Sequence, residues 1–110
     1  MNEQIKNHIE KYPSEIVHMF KVLRELIYDS ISTNLIETMW AKMPSYYVGD
    51  SFVRLILFKD HINIESQAIS KHTEDLIGYK ISPKGMLQIY ANQPIPTEIL
   101  KLIFNETLEK

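Results

Sequence analysis

Imidazole, carboxylate and ammonium groups are the chemistry available to this chain, which holds 4 His, 14 Asp+Glu and 12 Lys+Arg but no Cys. The missing thiol removes nucleophilic cysteine, disulfides, Cys-ligated zinc and Fe–S clusters, and leaves any metal to oxygen and imidazole. None of His8, His18, His61 and His72 has the HExxH or HxH spacing that turns two imidazoles onto one ion. Glu15 and His18 stand three apart and read as a surface helix pair, and His72-Thr73-Glu74-Asp75 reads first as a solvated helix face. His61, flanked by Lys59 and Asp60 at a strand junction, is the imidazole that its neighbours can hold in one tautomer and tune near neutrality. Glu25 and Asp29 form an i, i+4 like-charge pair. Such a pair costs roughly a few tenths of a kcal/mol unless a cation bridges it. Hard iron ions favour carboxylate oxygen, so this pair is the candidate metal site.

Nucleophilic and nucleotide chemistry have no visible apparatus. There is no GxSxG elbow, and with glycine only at 49, 78 and 85 there is neither a Walker A nor a GxGxxG loop. The 110 residues, 45% hydrophobic and 24% charged, suit one domain spanning 1–110 that buries its core without staples. A net charge of −2 lacks the basic excess of a nucleic-acid binder. No apolar run approaches the length that spans a bilayer, and the opening residues lack a secretory pattern. The expectation is a soluble, cytoplasmic domain with no nucleic-acid and no membrane partner.

These residues must be positioned by an α+β fold. Asn2 can cap a short helix through Ile5, Ile9 and Tyr12, ended by Pro13. Ser14 then reads as the cap of a helix from Glu15 to about Ile31, with a stripe of Ile16, Met19/Phe20, Leu23, Leu26/Ile27 and Ile31. Strands are expected over 35–41, ending near Met43-Pro44, then over 45–48, 52–58, 62–65 and 86–90. A short helix over about 68–77 closes at Gly78, and a last helix opens at Pro96 or Thr97 with Leu100, Ile103, Phe104 and Leu108 inward. Tight turns between consecutive strands imply antiparallel pairing, so helices at both ends of the chain pack on one face of a mainly antiparallel sheet of about five strands.

Strand parity separates two faces. Val53, Leu55, Leu57, Ile62, Ile64, Leu87 and Ile89 point one way; Phe52, Arg54, Ile56, Phe58, His61, Asn63, Glu65, Met86, Gln88 and Tyr90 point the other. The second set is too aromatic for an ordinary solvated face. It is expected to be covered by other parts of the chain or a dimer partner, to floor a ligand cleft, or, with least support, to stack nucleic-acid bases.

Four segments in order resemble the YdhG-like family of small bacterial proteins, a domain of unknown function. They are Glu37-Thr38-Met39-Trp40-Ala41-Lys42-Met43-Pro44, Phe58-Lys59-Asp60-His61-Ile62, Gly78-Tyr79-Lys80 with Lys84-Gly85-Met86-Leu87-Gln88-Ile89, and Pro94-Ile95-Pro96 before Leu100 and Ile103. The resemblance covers about residues 12–104. It implies an α+β fold and, from some members, a frataxin-like intracellular iron chaperone that hands iron to Fe–S cluster or haem assembly proteins. Within these segments the polar residues that match the family's pattern are Glu37, Lys59, His61, Lys80 and Lys84, the candidate ligand-binding set, whose three lysines suit an anion as readily as iron.

Three functions follow as expectations. The first is an iron carrier of the frataxin-like sort. The second is a non-enzymatic protein–protein interaction module, homodimeric through the aromatic sheet face. The third is an enzyme or sensor for a small anion, with His61 as acid/base.

Overall fold

Asn2 opens the first helix, α1 (Glu3–Ile9), by accepting from the backbone N–H groups of Gln4 (2.8 Å) and Ile5 (3.2 Å) in the computed structural model, which describes residues 1–109. Ile5 and Ile9 are buried beneath it. The second helix, α2 (Ser14–Asp29), departs from expectation at both ends. Pro13, not Ser14, is its cap: the Pro13 carbonyl accepts from Ile16 and Val17 N–H at 3.0 Å, and Ser14 is already helical. Proline serves there because its fixed φ suits the entry and its missing N–H is no loss. The helix stops at Asp29, short of Ile31, where the Ser30 hydroxyl donates to the Ile27 carbonyl at 2.8 Å. Its buried stripe is Ile16, Met19, Phe20, Leu23, Leu26 and Ile27, as the period predicts.

The sheet has six strands rather than five: β1 (Ile36–Trp40), β2 (Met43–Val48), β3 (Ser51–Leu57), β4 (His61–Ser66), β5 (Lys80–Ile81) and β6 (Leu87–Tyr90). All neighbours are antiparallel, in the order β1-β2-β3-β4-β6-β5. The extra strand, β5, is two residues long and too short to show a period. It forms because the Ser82 N–H donates to Met86 O at 2.8 Å and the Ser82 hydroxyl accepts from Met86 N–H at 3.1 Å, which closes a turn onto β6.

The first strand was expected to run on toward Met43-Pro44. Instead Ala41 and Lys42 take φ of 49° and 65° and reverse the chain, so Met43-Pro44 begins β2. Two positive φ values make the primed turn whose twist suits a hairpin, here without the usual Asn or Gly. The helix expected over 68–77 is instead two short 3₁₀ turns, Gln67–Lys71 and Thr73–Leu76. Too few apolar residues recur there at helical spacing to hold an α-helix.

The last helix, α3 (Thr97–Leu108), buries Leu100, Ile103, Phe104 and Leu108. It joins α1, α2 and the seven inward strand residues predicted by parity in one core. Thr107 ties the layers together: its hydroxyl lies 2.7 Å from that of Ser66 and accepts from Ala68 N–H at 3.1 Å.

Candidate functional site: the open face of the sheet

Register places the second face directly. Trp40 lies opposite Met43, Tyr47 opposite Phe52, Arg54 between Ser45 and Glu65, Asn63 between Ile56 and Gln88, and His61 opposite Tyr90. Trp40, Tyr47, Phe52, Ile56, Phe58, His61 and Tyr90 all stay outside the helix-covered core. The short segment after β4 packs against α3 on the other side. Among the described residues no helix covers this face.

Two clusters of side chains organise it. In the first, the Arg54 guanidinium lies 4.1 Å from the Trp40 ring centroid and 3.8 Å from that of Phe52. Its Nε donates to Ser45 Oγ at 3.1 Å, one terminal nitrogen donates to the Tyr47 hydroxyl at 2.6 Å, and the other lies 3.5 Å from Glu65 Oε1. Arg54 is thus 8% exposed although it stands on an open face, because flat rings and matched acceptors replace its water. In the second cluster, the His61 ring stacks on Phe58 (4.4 Å, 7° between planes) and on Tyr90 (4.8 Å, 29°). Asp60 Oδ1 lies 2.8 Å from His61 Nδ1. Lys80 Nζ lies 5.6 Å from the Tyr90 centroid and extends the row across four strands, β3 through β5. The Asn63 side-chain oxygen is buried in the floor without a hydrogen-bond partner among the described residues.

The five candidate ligand residues do not form one site. His61 and Lys80 share the second cluster, and Lys59 sits exposed in the adjoining β3–β4 turn. Lys84 stands in the β5–β6 turn, where it lines a cavity of about 550 Å³ with Asp50, Phe52 and Glu65. Glu37 points through the sheet to the helices. Its carboxylate accepts from Arg24 Nε (2.5 Å), from a terminal nitrogen of Arg24 (3.2 Å) and from Asn2 N–H (2.9 Å). Burial pushes the Glu37 carboxyl up, but the hydrogen bonds from Arg24 and Asn2 outweigh it and hold the group below the ordinary carboxylate range. The neighbouring Tyr46 hydroxyl is fully buried without a hydrogen bond of good geometry, and burial raises its pKa far above the ordinary tyrosine value. Glu37 therefore belongs to a structural ion pair.

The metal candidates Glu25 and Asp29 are exposed on α2. Among the described residues, no three His, Asp or Glu side chains converge as a metal site, so no third donor joins this pair. His72 is engaged structurally too. Its Nε2 lies 2.7 Å from Glu106 and its Nδ1 3.4 Å from Asp75, and the hydrogen bond to Glu106 raises its pKa.

Sequence reading listed Arg54 on this face but missed its clamp. Trp40 was absent from that list, because its face depends on where the Ala41-Lys42 turn falls. Alternation counted backward from a turn at 41–42 was the signal that pairs Trp40 with Met43 and sets it on the same face as Arg54.

The side chains gathered on this face are mostly aromatic, with Arg54, Lys80, Asp60 and Glu65 as charged groups among them. Comparisons with family models, with curated proteins and with solved structures find no match for this chain.

Proposed function

We propose that the protein is a non-enzymatic binding module that docks a protein partner on the open face of its sheet. The observation that carries this reading is the pair of aromatic–cation clusters, Trp40/Arg54/Phe52 and Phe58/His61/Tyr90, left outside the core. Trp, Tyr, Phe, Met and Arg are the residues enriched at the centre of protein interfaces. The face presents them on a rigid scaffold whose rotamers are already held, so little ordering entropy opposes binding. Lys42, Lys59 and Lys80 are exposed at the rim and enter none of the salt bridges among the described residues. They suit a partner with an apolar centre and an acidic rim.

A photo-crosslinking residue at Ile56, compared with one at the exposed helix position Lys21, tests the surface. The expected result is one protein captured from Ile56 alone and identified by mass. Purified, it should bind at least 10-fold more weakly to Tyr90→Ser and more weakly as salt rises. Equal capture at both positions, or affinity indifferent to Tyr90→Ser, overturns the reading.

The iron-carrier role draws its support from the resemblance of four ordered segments to the YdhG-like family, and it extends to Fe–S or haem assembly proteins as partners. Anaerobic titration with Fe(II) decides it. A dissociation constant weaker than about 100 μM, worth only about 5–6 kcal/mol, rules it out.

A further inference from the structure

The two edges of the sheet are unequal. β5 ends one side with two residues, whereas β1 ends the other with five and pairs only with β2. The turn at Ala41-Lys42 closes on Trp40 and Met43, and the closing pair of a two-residue hairpin is a hydrogen-bonded pair. Alternation then commits the backbone groups of Trp40, Thr38 and Ile36 to β2. Pro44 fits this phase, since it lies opposite Met39 in a non-bonded pair that asks no N–H of it. The N–H and C=O groups of Glu37 and Met39 therefore point away from the sheet, where no further strand lies.

Natural edges of this kind are usually blunted by Lys, Pro, a bulge or an inward charge. β1 reads Ile-Glu-Thr-Met-Trp, without Lys or Pro; its one inward charge, Glu37, is matched by Arg24, and α1 touches the strand without pairing with it. Two of its side chains are exposed apolar groups, Ile36 at 67% and Trp40 at 51%.

We propose that β1 pairs antiparallel with β1 of a second copy of this chain, about a two-fold axis through Thr38. In that register Glu37 and the partner's Met39 exchange both backbone hydrogen bonds, twice over by symmetry. On the open face, Ile36 falls opposite the partner's Trp40, so each copy covers the exposed apolar residues of the other. Other axes serve less well: one through Glu37 opposes two carboxylates, and one through Met39 sets Ile36 against Lys42. The self-complementarity of exposed Ile36 with exposed Trp40 is what selects a second copy over an unrelated strand. The dimer joins two six-stranded sheets edge to edge, with both open faces on one side. This inference uses the edge of the sheet and shares only Trp40 with the proposed docking face, so linking at Thr38→Cys and capture at Ile56 can fail separately.

A chain without cysteine allows a clean test. In the proposed register the two Thr38 Cα atoms form a non-bonded antiparallel pair about 4.5 Å apart, within disulfide reach. The two Ile36 positions lie four residues out of step, about 13 Å apart, and cannot link. Mild oxidation of dilute protein should convert most of Thr38→Cys to a covalent dimer, at least 10-fold more than Ile36→Cys. Sedimentation of the wild type should show mass doubling with concentration, and Ile36→Lys, checked for native circular dichroism, should remain monomeric. A wild type that stays monomeric at every concentration, or equal linking at positions 38 and 36, overturns the proposal. Capture of a heterologous strand at β1 without self-association overturns it as well.

Discussion

Glu37, with Arg24 and Tyr46 around it, shows how a residue that is a ligand candidate in sequence can sit in a structural ion pair in place. Glu37 lies within a motif-like segment and is polar, which made it a ligand candidate. Parity sends it to the helix side of β1, where its side chain is 9% exposed against Arg24. Its lowered pKa has a definite consequence for stability. A carboxyl depressed in the folded state stabilises above its unfolded pKa, near 4.5, and loses that contribution as pH falls through the folded value. Wild-type stability should therefore fall below about pH 4.5, and part of that fall should vanish in Glu37→Gln. At pH 7 the same substitution should lower stability by about 2 kcal/mol, less than for a fully buried pair because Arg24 keeps 25% of its exposure. Tyr46→Phe should do the reverse. Among the described residues the hydroxyl makes no hydrogen bond of good geometry, so removing it should leave stability equal or raise it by up to about 1 kcal/mol. Urea unfolding at pH 7 and at pH 3.5 reads both; a Tyr46→Phe loss above 1 kcal/mol would show that the hydroxyl is satisfied after all.

At the scale of elements, the long periodic segments were legible and the short ones were not. α2 and α3 each repeat an apolar stripe over several turns, and β3 is a near-continuous run of β-formers, so many residues vote for one answer. β5 has two residues, and the 67–76 segment has too little pattern to separate an α-helix from 3₁₀ turns. The β1–β2 turn was hidden for a different reason. Ala41 and Lys42 carry no turn signal, yet both adopt positive φ because strand pairing on either side demands it. That is tertiary structure overriding local preference, and it leaves strain that substitution can release. Ala41→Asn with Lys42→Gly supplies residues that favour this conformation and should raise stability by about 1–2 kcal/mol with no change in the remaining structure. Thermal unfolding with calorimetry is the measurement. No gain would mean that the Ala41-Lys42 backbone is unstrained as it stands.

For the molecule as a whole, the two sides of one sheet differ: one is buried in the core, and the other carries the aromatic clusters. Inward parity was legible from alternation alone, since Val53, Leu55, Ile62, Ile64, Leu87 and Ile89 are all fully buried. The aromatic clusters of the open face were legible only as a list of residues. Which ring stacks on which cation depends on register between strands far apart in sequence, and one chain does not display it. The division predicts opposite responses to aromatic truncation. Phe104, fully buried between α3 and the sheet, should lose about 4 kcal/mol on substitution by Ala, a large part of the total for so small a domain. Phe58, 41% exposed and stacked only on His61 among the rings, should lose about 1 kcal/mol or less, since its stack is lateral and still wet. Denaturant titration of the two variants gives the comparison, with unchanged m-values showing that both unfold in one step. If Phe58→Ala proves as damaging as Phe104→Ala, the open face is part of the folding core, and its aromatics were selected for stability. If the losses differ as stated, the Phe58 ring is dispensable for folding, as the proposed docking role of the open face requires.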